Sequence, residues 1–342
     1  MRTVAIVMVI MYHASTEPYN AQLLDSTHYF VVWWSQTIYQ SFAILGVPLF
    51  VMLSGALLLQ PSKTNEPIRV FLKKRLSRIG LAFLFWSIIY FAWNYYVNHQ
   101  ALTVNSVIQS FLSGGAYFQF WFIYLIMGLY LITPILRVFV AHANRSLLRY
   151  LLILWFIAAS LLPLLHLITG FEADNNLFLF SGWMGYFILG MYLMGTQTKT
   201  KTLKRLFAAG ILLTILGLWL MAYPFHSLEQ YYFFAFTLSA NVILSSIALF
   251  SLLVKHPQNW PRNNHPRSSR LIHAISANTL PIFFLHIIVL ETLNKGLLGF
   301  RISLMDISPI IEIPIATVVT LFICLGLILL IKKIPVLHKL IG

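Results

Sequence analysis

Charge is the scarcest property of this 342-residue chain: 9% of its residues are charged, and only nine of them are acidic. A soluble globular surface needs about a quarter charged residues, so that class is excluded. With 59% hydrophobic residues and a mean hydropathy of +0.80, the chain reads as a polytopic membrane protein. Cysteine is nearly absent. The one present, Cys324, lies in an apolar run, which removes a disulfide framework and paired-thiol chemistry and argues against a cysteine nucleophile. There is no Gly-rich phosphate loop, and no group of histidines and carboxylates has metal-ligand spacing, so no catalytic metal is expected. There is also no internal repeat, low-complexity tract or inverted pair of interrupted helices, which weighs against a secondary transporter. No cleavable signal is expected, because the first apolar stretch carries Arg2 and His13 and no small-residue cleavage site follows.

What is present is a series of apolar runs of about 20 residues bounded by polar or basic clusters. They predict an all-α bundle of ten transmembrane helices over 1–14, 38–59, 76–97, 118–140, 148–169, 177–195, 206–223, 233–254, 274–293 and 309–331. These runs and short connections use nearly the whole chain, which predicts one membrane domain over 1–342. The first run is short and begins abruptly at Met1, an expectation that part of its cytoplasmic end is missing, as a misplaced start codon would cause.

Charge sidedness orients the bundle, since cytoplasmic loops are enriched in lysine and arginine. With Arg2 inside, only Lys295 and Arg301 of the 23 basic residues fall outside, and of the nine acidic residues only Glu66 falls inside. Both termini are then cytoplasmic. The net charge of +14 requires no nucleic-acid partner, because orientation and attraction to anionic membrane lipids account for it. Three outer connections are long: 15–37 with Glu17, Asp25, His28 and Trp33–Trp34, 98–117 with His99 and Gly114–Gly115, and 294–308. Trp33 and Trp34 are expected at the headgroup level.

Arg2 and His13 are the two ionisable groups of the first run. Eleven residues at about 100° each bring them back to within about 20° of one another, on one helix face and about 16 Å apart along the axis. If Arg2 lies at the cytoplasmic end, His13 lies about half a bilayer deeper, where a polar group must face a protein interior or a wet cavity. The alternative is a histidine near the outer interface satisfied by water or a carbonyl. In the second span, Gly46-Val47-Pro48 and Ser54-Gly55 predict a kink at the carbonyl of Ile44 and close packing beside the first helix, with Ser54 an ordinary packing residue unless the site claims it. The following Phe71-Leu-Lys-Lys-Arg-Leu-Ser-Arg78 is a basic patch at the cytoplasmic mouth. Positive-inside anchoring explains such a patch, and so does a ligand with several phosphates.

His286 sits mid-span in the ninth run and needs a partner, either as a group that orients an acceptor or as a satisfied structural histidine. Glu291 is about 140° away around the helix and is a poor partner for it. Trp121, Tyr130 and Arg137 mark the fourth span, where interface anchoring and packing compete with a role toward substrate. His142, His166, His226, His256, His265, His273 and His338 lie in loops or at helix ends and are expected to be solvated.

These residues carry a resemblance. The Arg2/His13 pair with its ten intervening residues, GVPLFVMLSGALLL from Gly46, FLKKRLSRI from Phe71, FWFIYLIMGLYLITPILR from Phe120 to Arg137 and NTLPIFFLHII from Asn278 to Ile288 occur in the order found in acyltransferase-3 integral membrane acyltransferases. Size, and the lack of a hydrolase-like domain, resemble the surface-polysaccharide O-acetyltransferases of the enterobacterial common antigen type. The family's usual lead-in before the arginine is missing here.

The resemblance implies transfer of an acyl group, usually acetyl from acetyl-CoA as co-substrate with no permanently bound cofactor, to a sugar hydroxyl that is surface-polysaccharide or lipid-linked, in a bacterial inner membrane. Attack on a thioester needs a base and a stabilised oxyanion, and histidine is the usual base near neutral pH. His13 and Arg2 are the expected catalytic pair, Lys74, Arg75, Arg78 and Ser54 the expected CoA site, and His286, Trp121, Tyr130 and Arg137 the expected acceptor or supporting positions. Direct transfer and a covalent acetyl-histidine both remain open. The competing class is a transporter or flippase for a lipid-linked saccharide, with Arg2 and His13 lining its pathway. Oligomeric state is not legible, since small-residue faces such as Gly182 and Gly185 serve single bundles and subunit contacts alike.

Overall fold

The computed structural model describes residues 1–16, 26–170, 182–222, 233–255, 266–303 and 308–342. Glu17, Asp25, His226, His256 and His265, named above, lie outside the described residues, and so does the start of the run at 177. Among the described residues every regular element is a helix. In chain order they are α1 (Arg2–Ala14), α2 (Ser26–Ala43), α3 (Gly46–Leu58), α4 (Ile68–Tyr96), α5 (Val104–Leu112), α6 (Trp121–His142), α7 (Arg145–Phe156) and α8 (Leu162–Thr169). There follow α9 (Trp183–Met194), α10 (Thr200–Ala222), α11 (Ala240–Lys255), α12 (Pro266–Ala277), α13 (Thr279–Asn294), α14 (Pro309–Ile331) and α15 (Pro335–Leu340).

Six helical stretches are long and apolar enough to cross a membrane: Tyr29–Leu58, Ile68–Tyr96, Phe118–His142, Arg145–Thr169, Thr200–Ala222 and Pro309–Ile331. A seventh is the pair Ser268–Ala277 and Thr279–Asn294, which meets at 84°. The helices α1, α9 and α11 are apolar but shorter. At 13 residues, α1 is about 20 Å long against a hydrocarbon core of about 30 Å. Outward-facing Leu84, Ile88, Leu131, Ile135, Leu212 and Leu216 are all exposed, an apolar surface suited to hydrocarbon as solvent.

Three boundaries differ from those read in the sequence. The second span begins well before residue 38, because α2 already occupies Ser26–Ala43 and takes up much of the expected outer connection. Trp33 is buried in that helix. The helix breaks at Ile44–Leu45 and restarts as α3, where Pro48 falls in the first turn and its missing N–H costs nothing. The basic patch is helical too: α4 starts at Ile68, since lysine and arginine are good helix formers. The ninth span, read as continuous from 274 to 293, breaks at Asn278.

Close helix approach at small residues holds the bundle together, as expected where lipid offers no hydrophobic drive for association. The crossing of α3 and α9 has no room for a side chain: a Cβ on Gly55 would lie 1.7 Å from the Phe187 carbonyl oxygen, and one on Gly190 would lie 1.9 Å from that of Met52. Between α10 and α11, Asn241 Nδ2 donates to Thr214 Oγ1 at 2.8 Å across the contact. Gly182 and Gly185 act within the chain, because Gly185 faces the Trp155 ring and Trp155 Nε1 donates to the Gly182 carbonyl at 2.8 Å. At the centre α1 buries Ala5, Ile6, Val9, Ile10 and Ala14 and packs on α2, α3, α13 and α14.

Candidate active site

Two cavities flank α1, one at each end. The first has a volume of about 190 Å³ and is lined by Arg2 from α1, Phe50 and Ser54 from α3, Arg75 and Arg78 from α4 and Tyr130 from α6. Ile79, Phe122 and Ile126 also line it, and the remaining wall is the α12–α13 bend, with Ser276, Ala277, Thr279 and Leu280, and Phe283. Arg75 and Arg78, three residues apart on one helix face, both reach it, and Lys74 is exposed and does not line it. Three guanidinium groups converge with no carboxylate among the described lining residues, and Arg75 Nε is buried without a hydrogen-bond partner among the described residues. Ser54 Oγ donates to the Phe50 carbonyl at 2.9 Å, a backbone bond that leaves its oxygen able to accept. The bend matters electrically: the first N–H groups of α13 have no helical partner and carry the positive end of its dipole.

The field at this mouth is felt by its lysines. Lys63, in the turn Pro61–Lys63, is held below the usual lysine range by burial first, then by Arg137 and Arg75. Lys332, just past α14, is lowered by burial and then by Arg78. Lys63, Lys332 and Arg137 therefore lie close to the arginine cavity.

The second cavity, of about 230 Å³, is lined by Val9, Tyr12 and His13 of α1, Ala43 and Ile44 at the α2 break, Val47, and Gln119, Trp121 and Phe122 at the start of α6. Ala235, Phe236, Thr237 and Phe283 complete it. The His13 ring lies 5.2 Å from that of His286 and 5.3 Å from that of Phe118, centroid to centroid. His286 is fully buried, and its Nδ1 lies 2.6 Å from the Phe283 carbonyl oxygen. A carbonyl only accepts, so the proton is assigned to Nδ1 and Nε2 is left as an acceptor, with no partner among the described residues. Glu291 indeed serves other groups: it accepts from Trp93 Nε1 at 2.7 Å and from the Tyr117 hydroxyl.

Phe122 and Phe283 line both cavities, and their rings are 5.2 Å apart. They form an aromatic partition between the arginines and the histidines.

The family model described as an acyltransferase domain, that of acyltransferase-3, matches residues 1–329. The chain belongs to this family. No curated protein and no solved structure matches it. Membership makes it a membrane acyltransferase, and the matched stretch contains every lining residue of both cavities.

Of the positions singled out in the sequence of this acyltransferase, the structure brings Arg2, Ser54, Arg75, Arg78 and Tyr130 into one cavity and His13 and Trp121 into the other, with His286 against His13. Lys74 and Arg137 line neither. Arg137 is buried as a brace: Nε donates to the Leu58 carbonyl at 2.8 Å, one terminal nitrogen pairs with Glu66 at 2.8 Å, and its guanidinium lies 4.4 Å over the Phe71 ring. His99, His142, His166, His273 and His338 are exposed. Sequence reasoning missed Gln119, the Ser276–Thr279 wall and the Phe122/Phe283 partition. The wall had a signal in Asn278 and Pro281, which together mark a helix start.

Proposed function

We propose that this acyltransferase moves an acetyl group from cytoplasmic acetyl-CoA to a hydroxyl of a surface-polysaccharide or lipid-linked sugar, with His13 as the base. The observation that carries the reading is the pairing of an arginine-lined chamber with a histidine chamber across one aromatic partition. Arg2, Arg75 and Arg78 hold the phosphates of CoA, since planar guanidinium forks suit phosphate oxygens. The pantetheine arm passes Phe122 and Phe283 and brings the thioester to His13, over the rise of about 16 Å that separates Arg2 from His13 along the helix. His13 takes the proton of the sugar hydroxyl, the oxygen attacks the thioester carbonyl, and the C–S bond breaks as the thiolate leaves and recovers that proton. His286, fixed through Nδ1, orients the His13 ring.

The topology that fits this scheme has ten crossings: the seven long spans, counting the bent pair once, and the three shorter apolar helices α1, α9 and α11. Both termini and the arginine cavity then face the cytoplasm of a bacterial cell, in the inner membrane, and the enterobacterial common antigen type remains our assignment of subclass. The sidedness of lysine and arginine supports this orientation. The deciding experiment is glycan NMR on strains carrying wild-type protein and His13→Ala. Loss of acetate from a glycan that is still exported is the expected result. Cargo retained inside the cell, with acetate unchanged on whatever is exported, would overturn the proposal in favour of transport.

A further inference from the structure

Gln119 lies in the tight turn Phe118–Phe120 that leads into α6. Its side chain is 1% exposed, yet neither Oε1 nor Nε2 has a hydrogen-bond partner among the described residues, and the residue lines the His13 cavity. A primary amide offers two donors and an acceptor oxygen, and a folded chain rarely buries such a group unpaired. The turn that carries it is firmly held. Phe120 is fully buried, Phe118 packs its ring against His13, and Tyr117 just before it is tied to Glu291. The amide is therefore positioned by the same few residues that frame the proposed base.

The surroundings indicate what it would bind. Trp121, Tyr12, Phe122 and Phe236 give the cavity aromatic walls, and Gln119 supplies a neutral polar group among them. A sugar ring matches both: its apolar C–H faces lie against aromatic rings, and each hydroxyl is at once donor and acceptor, as a carboxamide is. A charged partner would fit less well, since among the described residues His13 and Tyr12 are the ionisable groups that line this cavity.

We propose that Gln119 is the acceptor-reading residue of the site, hydrogen-bonding a sugar hydroxyl next to the one that reacts and so fixing which oxygen is presented to His13. This rests on the O-acetyl transfer reading above. It adds a residue that the family pattern of the first helix and the basic patch does not name.

The test uses full-length protein in lipid nanodiscs, radiolabelled acetyl-CoA as donor and, as acceptor, the unacetylated surface glycan isolated from a strain deleted for this chain. Gln119→Ala and Gln119→Glu are expected to raise the KM for the glycan about tenfold or more, because a site built to pair a hydroxyl is left unpaired. The KM for acetyl-CoA should stay within about twofold of wild type, since the donor phosphates sit beyond the partition. Stabilisation of each variant by acetyl-CoA in a thermal melt, equal to that of wild type, separates this outcome from misfolding. An unchanged glycan KM in a variant that wild-type protein outperforms in nothing else would overturn the role of Gln119 alone. Failure of the wild-type protein to label the glycan would overturn the acetyl-transfer reading, and the Gln119 assignment with it.

Discussion

Adding one methyl group at Gly190 should push two helices apart and be felt in both cavities. The Cβ of Gly190→Ala would sit 1.9 Å from the Met52 carbonyl oxygen, and that of Gly55→Ala 1.7 Å from the Phe187 carbonyl oxygen, where ordinary contact begins at 3.4 Å. Relief needs about 1.5 Å of movement, and the clashing atoms are backbone, so no side chain can rotate away. Overpacked cores lose about 1–3 kcal/mol, and a backbone clash with no soft partner belongs near 3 kcal/mol or above. The helix displaced is α3, which carries Phe50 and Ser54 of the arginine cavity and Val47 of the histidine cavity. Each single variant should therefore melt at a clearly lower temperature than wild type in a detergent thermal-shift assay and bind acetyl-CoA more weakly. The two glycines relieve the same crossing, so the double variant should cost less than the two single costs together, as coupled neighbours do. A Gly190→Ala protein that melts at the wild-type temperature would refute the reasoning, and fully additive losses would refute the shared crossing.

Arg75→Ala and Arg78→Ala should each weaken acetyl-CoA binding at least tenfold, since a charge-assisted hydrogen bond contributes about 1.5–3 kcal/mol, and Arg75→Lys should recover only part of it; isothermal titration over a range of salt concentrations checks both the size and the screening. Phe283→Ala opens the partition and should increase acceptor-independent release of CoA, read with a thiol reagent, at a stability cost of about 3 kcal/mol for a buried aromatic. Lys63 and Lys332 should lose their charge below the ordinary 10.5, the range from which burial and the neighbouring arginines lower them. Across that window the unfolded chain holds the protons that the folded one has lost, so stability rises with pH while anion binding falls. Acetyl-CoA binding there should take up protons, which calorimetry in two buffers of different ionisation enthalpy would detect as a buffer-dependent heat.

Local periodicity carried the parts of the site that lie on single helices. The common face of Arg2 and His13 followed from the helical repeat alone, and the break at Ile44–Leu45 followed from Pro48. Arg75 and Arg78 share a cavity for the same reason, while Lys74, inside the same basic run, is exposed and does not line it. The residues that composition could not reveal depend on pairing between distant segments. Phe122 and Phe283 are ordinary members of apolar runs until α6 and α13 bring their rings together. Gln119 has no period and no motif, and its meaning comes from being buried in a turn without a partner among the described residues. Arg137 was read among residues that could approach substrate, and its placement depends on Glu66 and Leu58 meeting it from the other side of a loop.

The bend at Asn278 makes one short helix a party to both chambers. Thr279, Leu280 and Phe283 stand on its arginine side, Phe283 also forms the far wall, and His286 rests one turn further on against His13. A rigid helical segment moves as a unit, so filling the arginine end cannot leave the imidazole end unaltered. The two cavities are thus mechanically wedded, and a substitution anywhere along that face will be read at both.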